Sequence, residues 1–222
     1  GQAPPIVPPP GRMAKALGPP KETDIAWERL DHFGFFTGLS RTIKRVMLKP
    51  TEFYTHMNLG AGYARPFAFY LLLSTFELML QALWITSGLG PGSEMLMIPG
   101  DAPMSPLTLK FLTLAMLLVM APFFLAIRFL IAAAMTHFFL SFFQANAGGF
   151  EGTARVVAYS SATSILAVIP FIGPVAAFPW SLILIVIGCK VVHKAPMSHV
   201  LFGLTPLYVL MFVLVVWLQA PF

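Results

Sequence analysis

Charge is scarce in this chain. Lys, Arg, Asp and Glu make up 10% of its 222 residues, while apolar residues make up 57%. Soluble globular domains carry about 25% charged residues, so the composition implies a bilayer as solvent. Cysteine is nearly absent: Cys189 stands alone beside Lys190, which excludes an intramolecular disulfide or a cysteine-based metal cluster and leaves the redox compartment open. There is also no apolar run near the start. The first one long enough to cross a membrane begins near Pro66, so we expect no secretory signal peptide and expect the first span to act as the insertion signal. Gly1-Gln2-Ala3-Pro4-Pro5 lacks the Ser or Thr of a myristoylation signal, so no lipid anchor is expected.

Such charge as exists is unevenly placed. The formal net charge is +5, and nine of the fourteen Lys and Arg residues precede Pro66, together with five of the nine acidic residues. That mixture is not a dense basic tail, and basic residues beside a first span report orientation and anionic lipid rather than nucleic acid. Residues 1–25 read as a disordered proline-rich leader, with Pro4, Pro5, Pro8, Pro9, Pro10, Pro19 and Pro20 and little apolar surface to offset ordering. Its Pro5 and Pro8 have PxxP spacing, although a flexible leader is the simpler reading. Residues 26–65 read as amphipathic helices. Ser40 can cap a segment whose Ile43, Val46 and Met47 share a face apart from Arg41, Lys44 and Arg45, and Pro50 interrupts it. Thr51 can then cap a second short helix bearing Phe53, Tyr54 and Met57. Both would lie on the membrane surface or pack on the membrane domain as a helical pair.

Residues 66–222 read as an all-α, polytopic transmembrane bundle. Its five spans are expected at about 66–88, 107–143, 154–169, 175–189 and 200–218. Residues 107–143 would extend about 55 Å as one helix. The Met120-Ala121-Pro122-Phe123-Phe124 stretch lacks Gly, Asn or Asp, so a single helix kinked at Pro122 is preferred to a hairpin. Ile169-Pro170-Phe171-Ile172-Gly173-Pro174, in contrast, holds enough breakers to turn the chain. That turn returns Lys190 and Lys194 to the side of Arg155. The loop between Gly88 and Pro106 carries Glu94 and Asp101 with no Lys or Arg, which places the N-terminus in the cytoplasm and, after five spans, the C-terminus outside. Trp217 falls where an interfacial aromatic belongs.

Few residues invite chemistry. Glu77 lies near the middle of the first span and Arg128 well inside the second, where insertion costs about 2.5–3.5 kcal/mol each. An ion pair between Glu77 and Arg128 would relieve both, as a lock between helices, or Arg128 would snorkel to the interface. The rival reading is a solute or proton path through the same two residues. His137 lies two and a half turns from Arg128 and shares no face with it. His193 and His199 lack further donors for zinc. Gly148-Gly149-Phe150-Glu151-Gly152 has neither the preceding strand nor the lysine of a phosphate loop and reads as a turn before a helix. Ser160, Ser161, Thr163 and Ser164 read as hydroxyls bonded within or between helices, since no base lies nearby to activate a nucleophile. The phenylalanines from Phe138 to Phe150 read as lipid-facing or packing surface. No catalytic residue, cofactor or metal site is expected.

These segments together resemble the Yip1 domain family, particularly its compact bacterial members. Trp27-Glu28, Phe36, Thr42 and the stretch Val46-Met47-Leu48-Lys49-Pro50-Thr51-Glu52-Phe53-Tyr54 resemble the family's amphipathic entry, and Pro66-Phe67-Ala68-Phe69 the start of its first span. Gly148-Gly149-Phe150 through Tyr159, then Pro170, Gly173 and Trp180, resemble its central loop and hairpin. The resemblance covers about residues 26–220 and implies five spans with a cytosolic N-terminus. Eukaryotic relatives are associated with Rab GTPases and vesicle traffic, but no residue here carries over as a GTPase contact. From the fold and the missing catalytic constellation we expect a non-enzymatic membrane scaffold or adaptor in the bacterial inner membrane. Its partners would be the lipid bilayer and another membrane protein or a second copy, rather than nucleic acid or a small molecule. The alternative is a transporter or channel using Glu77 and Arg128.

Overall fold

The computed structural model describes residues 23–88 and 105–219, with side chains up to residue 210 except those of residues 106, 109, 110 and 113. The leader through residue 22, the loop bearing Glu94 and Asp101, and the side chain of Trp217 lie outside the described residues. Among the described residues every regular element is helical.

The entry segment is a chain of short helices separated by residues that cannot continue them. A 3₁₀ turn, Ala26–Arg29, leads into α1 (Leu30–Phe33). Gly34 then adopts φ +70°, a left-handed conformation that costs glycine little, and α2 (Phe35–Leu48) begins behind it. Its N-cap is therefore Gly34, whereas Ser40 lies inside the helix with its hydroxyl turned back to the Thr37 carbonyl. Lys49 separates α2 from α3 (Pro50–Thr55), which opens on Pro50, where a missing N–H costs nothing. Thr51 is thus an interior residue of α3 rather than its cap. On α2 the buried positions Gly38, Thr42 and Val46 recur every four residues, while Arg41, Lys44 and Leu48 face out. A Cβ on Gly38 would stand 2.5 Å from Leu30 Cδ2, so the missing side chain allows α2 to cross the preceding turn closely.

The bundle follows. Helix α4 spans Ala64–Thr86 and α5 spans Pro106–Phe142, running without a turn through Pro122. Helix α6 (Gly149–Ser160) continues as a 3₁₀ segment, Ser161–Val168; α7 spans Ile172–Val192 and α8 Met197–Gln219. Three stretches, Ala64–Thr86, Leu114–Phe142 and Ile172–Val192, are long and apolar enough to cross a membrane. They expose much of that apolar surface, Phe123, Phe124, Phe138 and Phe142 on α5 among it, as helices solvated by lipid do. Helix α6 is the opposite case. Every residue from Gly152 to Ser160 is buried, and α6 packs against α4, α5 and α7.

The reversal after the 3₁₀ segment occurs at Pro170-Phe171, where Phe171 takes φ +61°. Gly173 follows, with an added Cβ only 2.0 Å from the Leu166 carbonyl oxygen. Glycine is needed there because α7 starts directly against the backbone it has just left. The entry helices do not sit apart from this bundle. Helix α2 touches the Ser161–Val168 segment and α3 lies along α7, with Trp27, Val46, Phe53 and Tyr54 buried in one core with Phe69, Tyr159 and Leu184.

Candidate functional site

The most concentrated polar chemistry surrounds Arg155, whose side chain is 0% exposed. Glu151, Arg155 and Tyr159 fall four residues apart on α6 and so form one stripe. Arg155 Nη2 donates to Glu28 Oε1 at 2.5 Å, and Nη1 donates to the Gly62 carbonyl at 2.6 Å and lies 3.7 Å from Glu151 Oε1. Tyr159 also donates its hydroxyl to Glu28 Oε1. Glu151 in turn accepts the Gly60 and Gly62 N–H groups at 3.0 Å each, closing a ring that joins α6 to the turn before α4. A buried guanidinium costs several kcal/mol to desolvate, and two carboxylates with a carbonyl offset that cost. Its Nε alone has no partner.

Aromatic rings brace the same spot. Trp27 meets Phe69 edge-on at 5.6 Å, Phe69 meets Tyr159 at 5.2 Å, and Tyr159 meets Phe53 at 5.0 Å. Trp27 also fixes the entry segment by donating Nε1 to the Arg65 carbonyl and its backbone N–H to Thr42. Ser160 donates to the Val156 carbonyl, so the Tyr54 hydroxyl is the donor in its 3.2 Å contact with Ser160. Burial pushes the Tyr54 phenol up, keeping it a neutral donor.

A second network lies at the same end of the bundle. His193, 2% exposed, accepts the Gly148 N–H on Nδ1 at 2.9 Å, and its Nε2 lies 3.0 Å from Thr153 Oγ1. His137 Nδ1 lies 2.9 Å from the same hydroxyl. With Nδ1 accepting, neutral His193 carries its proton on Nε2 and donates it to Thr153, whose single hydroxyl proton is shared between the Gly149 carbonyl at 3.5 Å and His137. Burial first, and the nearby His137 second, push His193 down to about 4, against the Asn146 backbone, which favours the protonated ring. His193, His137 and Thr153 therefore work together as a neutral hydrogen-bonded clasp, a use that the separate histidines did not reveal in the sequence. Among the described residues no three His, Cys, Asp or Glu side chains converge as a metal site.

Glu77 and Arg128 border a third feature, a cavity of about 260 Å³ between α4, α5, α6 and α7 that Ser74, Ser160, Ser161, Thr163 and Ser164 also line. They do not form an ion pair within 4 Å: Glu77 accepts from Ser164 Oγ at 2.6 Å and from Gln81 Nε2 at 3.1 Å, and Arg128 is exposed. The Ser164 hydroxyl reaches Glu77 because α4 and the 3₁₀ segment run side by side, as the bond from Trp84 Nε1 to the Ala167 carbonyl confirms, whereas the Gln81 amide reaches it from one turn further along α4.

The loop and hairpin residues are spread over these features. Gly148 donates its N–H to His193, and a Cβ there would stand 3.0 Å from the same Nδ1. Gly149, at φ +67°, starts α6; Phe150 is partly exposed with its ring against His137. Tyr159 belongs to the Arg155 cluster, while Pro170 and Gly173 form the reversal. Missing from the sequence reading was the role of Arg155, although its spacing from Glu151 and Tyr159 marks a polar stripe on an otherwise apolar helix.

No curated protein and no solved structure matches the chain significantly. The model of the Yip1 domain covers residues 44–218, so that Glu77, Arg155 and Tyr159 lie inside the matched region and Glu28 outside it. That match takes in most of the molecule, from within α2 into α8, and the chain belongs to the Yip1 domain family.

Proposed function

We propose that this protein is a non-enzymatic integral membrane scaffold or adaptor, a multi-pass member of its family with five spans and a cytoplasmic N-terminus in a bacterial inner membrane. The observation that carries the reading is the edge of α2 around a recess lined by Phe36, Thr37, Leu39, Ser40 and Ile43, with Phe36 82% exposed. Apolar surface of this kind on a helix pinned to a bundle is suited to a partner helix. The Glu28–Arg155 bond and the Trp27 contacts supply the pinning. Acidic and basic side chains around them bond to one another, a structural use of charge.

Purification from native membranes in mild detergent, followed by mass spectrometry, tests the proposal. A second membrane protein at fixed stoichiometry is expected, and a Phe36→Ser, Ile43→Ser variant is expected to lose it. Isolation alone or solely as a homo-oligomer would overturn the adaptor reading. It would favour a second reading, a small-solute or ion path, which the polar cavity beside Glu77 supports. Flux through proteoliposomes of the parent protein and Glu77→Gln would then decide.

A further inference from the structure

The opposite edge of α2 carries different chemistry. Arg41, Lys44, Arg45 and Leu48 fall three or four residues apart and form a stripe, which Lys49 extends beyond the helix end. They line a cavity of about 550 Å³ in which four cations face one carboxylate, Glu52. Glu52 lies 3.5 Å from Arg45 and 3.6 Å from Lys49, so its charge is already shared. Arg41 lies over the Phe33 ring, and Lys44 has no carboxylate within 4 Å among the described residues. Leu48, in the same stripe, is 77% exposed.

Position decides which anion suits this cavity. Helix α2 touches Ser161–Val168 and packs beside α3, which itself lies along α7, a helix long and apolar enough to span. It therefore lies against the flank of the bundle, beside a helix whose length and apolar composition suit it to a lipid surround. We propose that Arg41, Lys44 and Lys49 bind the phosphate of an anionic phospholipid, with Leu48 reaching toward its acyl chains. Cations beside a membrane surface gain from anionic headgroups, and an exposed leucine among them is better solvated by lipid than by water. The Phe36 recess lies on the other side of the buried face of the same helix, so lipid binding does not depend on the adaptor reading and leaves that recess open.

The test uses the full chain, purified in non-ionic detergent, with native mass spectrometry after addition of phosphatidylglycerol, phosphatidylcholine or inorganic phosphate. Phosphatidylglycerol is expected to be retained about tenfold or more over phosphatidylcholine. Arg41→Gln with Lys44→Gln removes two exposed charges and is expected to abolish that preference. Lys190→Gln with Lys194→Gln removes the same charge elsewhere and is expected to preserve it. Retention by the unmodified protein should also weaken as sodium chloride rises, a readout that needs no variant. Equal retention of the two lipids, salt-insensitive retention, equal loss in both variants, or displacement of the lipid by millimolar phosphate would each overturn the proposal.

Discussion

Arg155 and Glu77 are both ionisable residues on helices of an apolar bundle, and the molecule treats them in opposite ways. Arg155 is closed off from solvent and meets two carboxylates and a carbonyl. Glu77 borders a cavity and meets a hydroxyl and an amide, with no cation bonded to it. A charge that is fully enclosed needs countercharge, whereas one beside a cavity can be satisfied by neutral donors and water. The first arrangement is a lock between the entry segment and the bundle; the second leaves room for movement or a small ligand.

Substitutions should separate the two. The largest loss is expected from Arg155→Met, which strands Glu28 at 16% exposure and Tyr159 beside it. Breaking such a pair costs about 3–5 kcal/mol, read as denaturant unfolding in detergent, and Glu28→Gln should cost less because an amide still bonds. Gly173→Ala comes next at about 1–3 kcal/mol, since the new methyl meets the Leu166 carbonyl and the backbone must shift. A pH series probes the histidine clasp. Unfolded His193 takes a proton near 6.5 and the folded one only near about 4, so the unfolded state holds more protons in that window. Thermal stability should therefore be level above the unfolded value and decline as pH falls through the window, with a shallower decline in His193→Gln. The smallest effect is expected for Glu77→Gln, below about 1 kcal/mol, because the amide oxygen still accepts from Ser164. A Ser161→Cys variant, which puts a thiol on the cavity wall, should react with a water-soluble maleimide at that position while buried Cys189 does not. Absence of labelling in that variant would erase the contrast with Arg155.

Local signals explain what could be read in advance. The apolar runs of α4, α5 and α7 stand out because lipid-facing residues need no polar partners, and Pro170 with Gly173 marks a reversal that backbone sterics require. Helix α6 is harder to read because its polar residues are satisfied inside the bundle by partners far along the chain. Glu28 lies 127 residues from Arg155, and His193 lies 40 from Thr153. The cap assignments at Ser40 and Thr51 failed for a related reason. Gly34 and Pro50 are stronger punctuation than a hydroxyl, and the helices extend to meet them. Glu77 and Arg128 stand out in the sequence as polar residues in an apolar setting, but spacing alone does not show that Ser164 is the closer partner of Glu77.

The most direct test of the lock is amide hydrogen exchange on the full chain in detergent, comparing the parent protein with Arg155→Met. If Arg155 holds the entry segment on the bundle, protection across residues 26–48 should fall sharply while α5 and α7 keep theirs. Unchanged protection of α2, or an equal loss across every helix, would contradict the account.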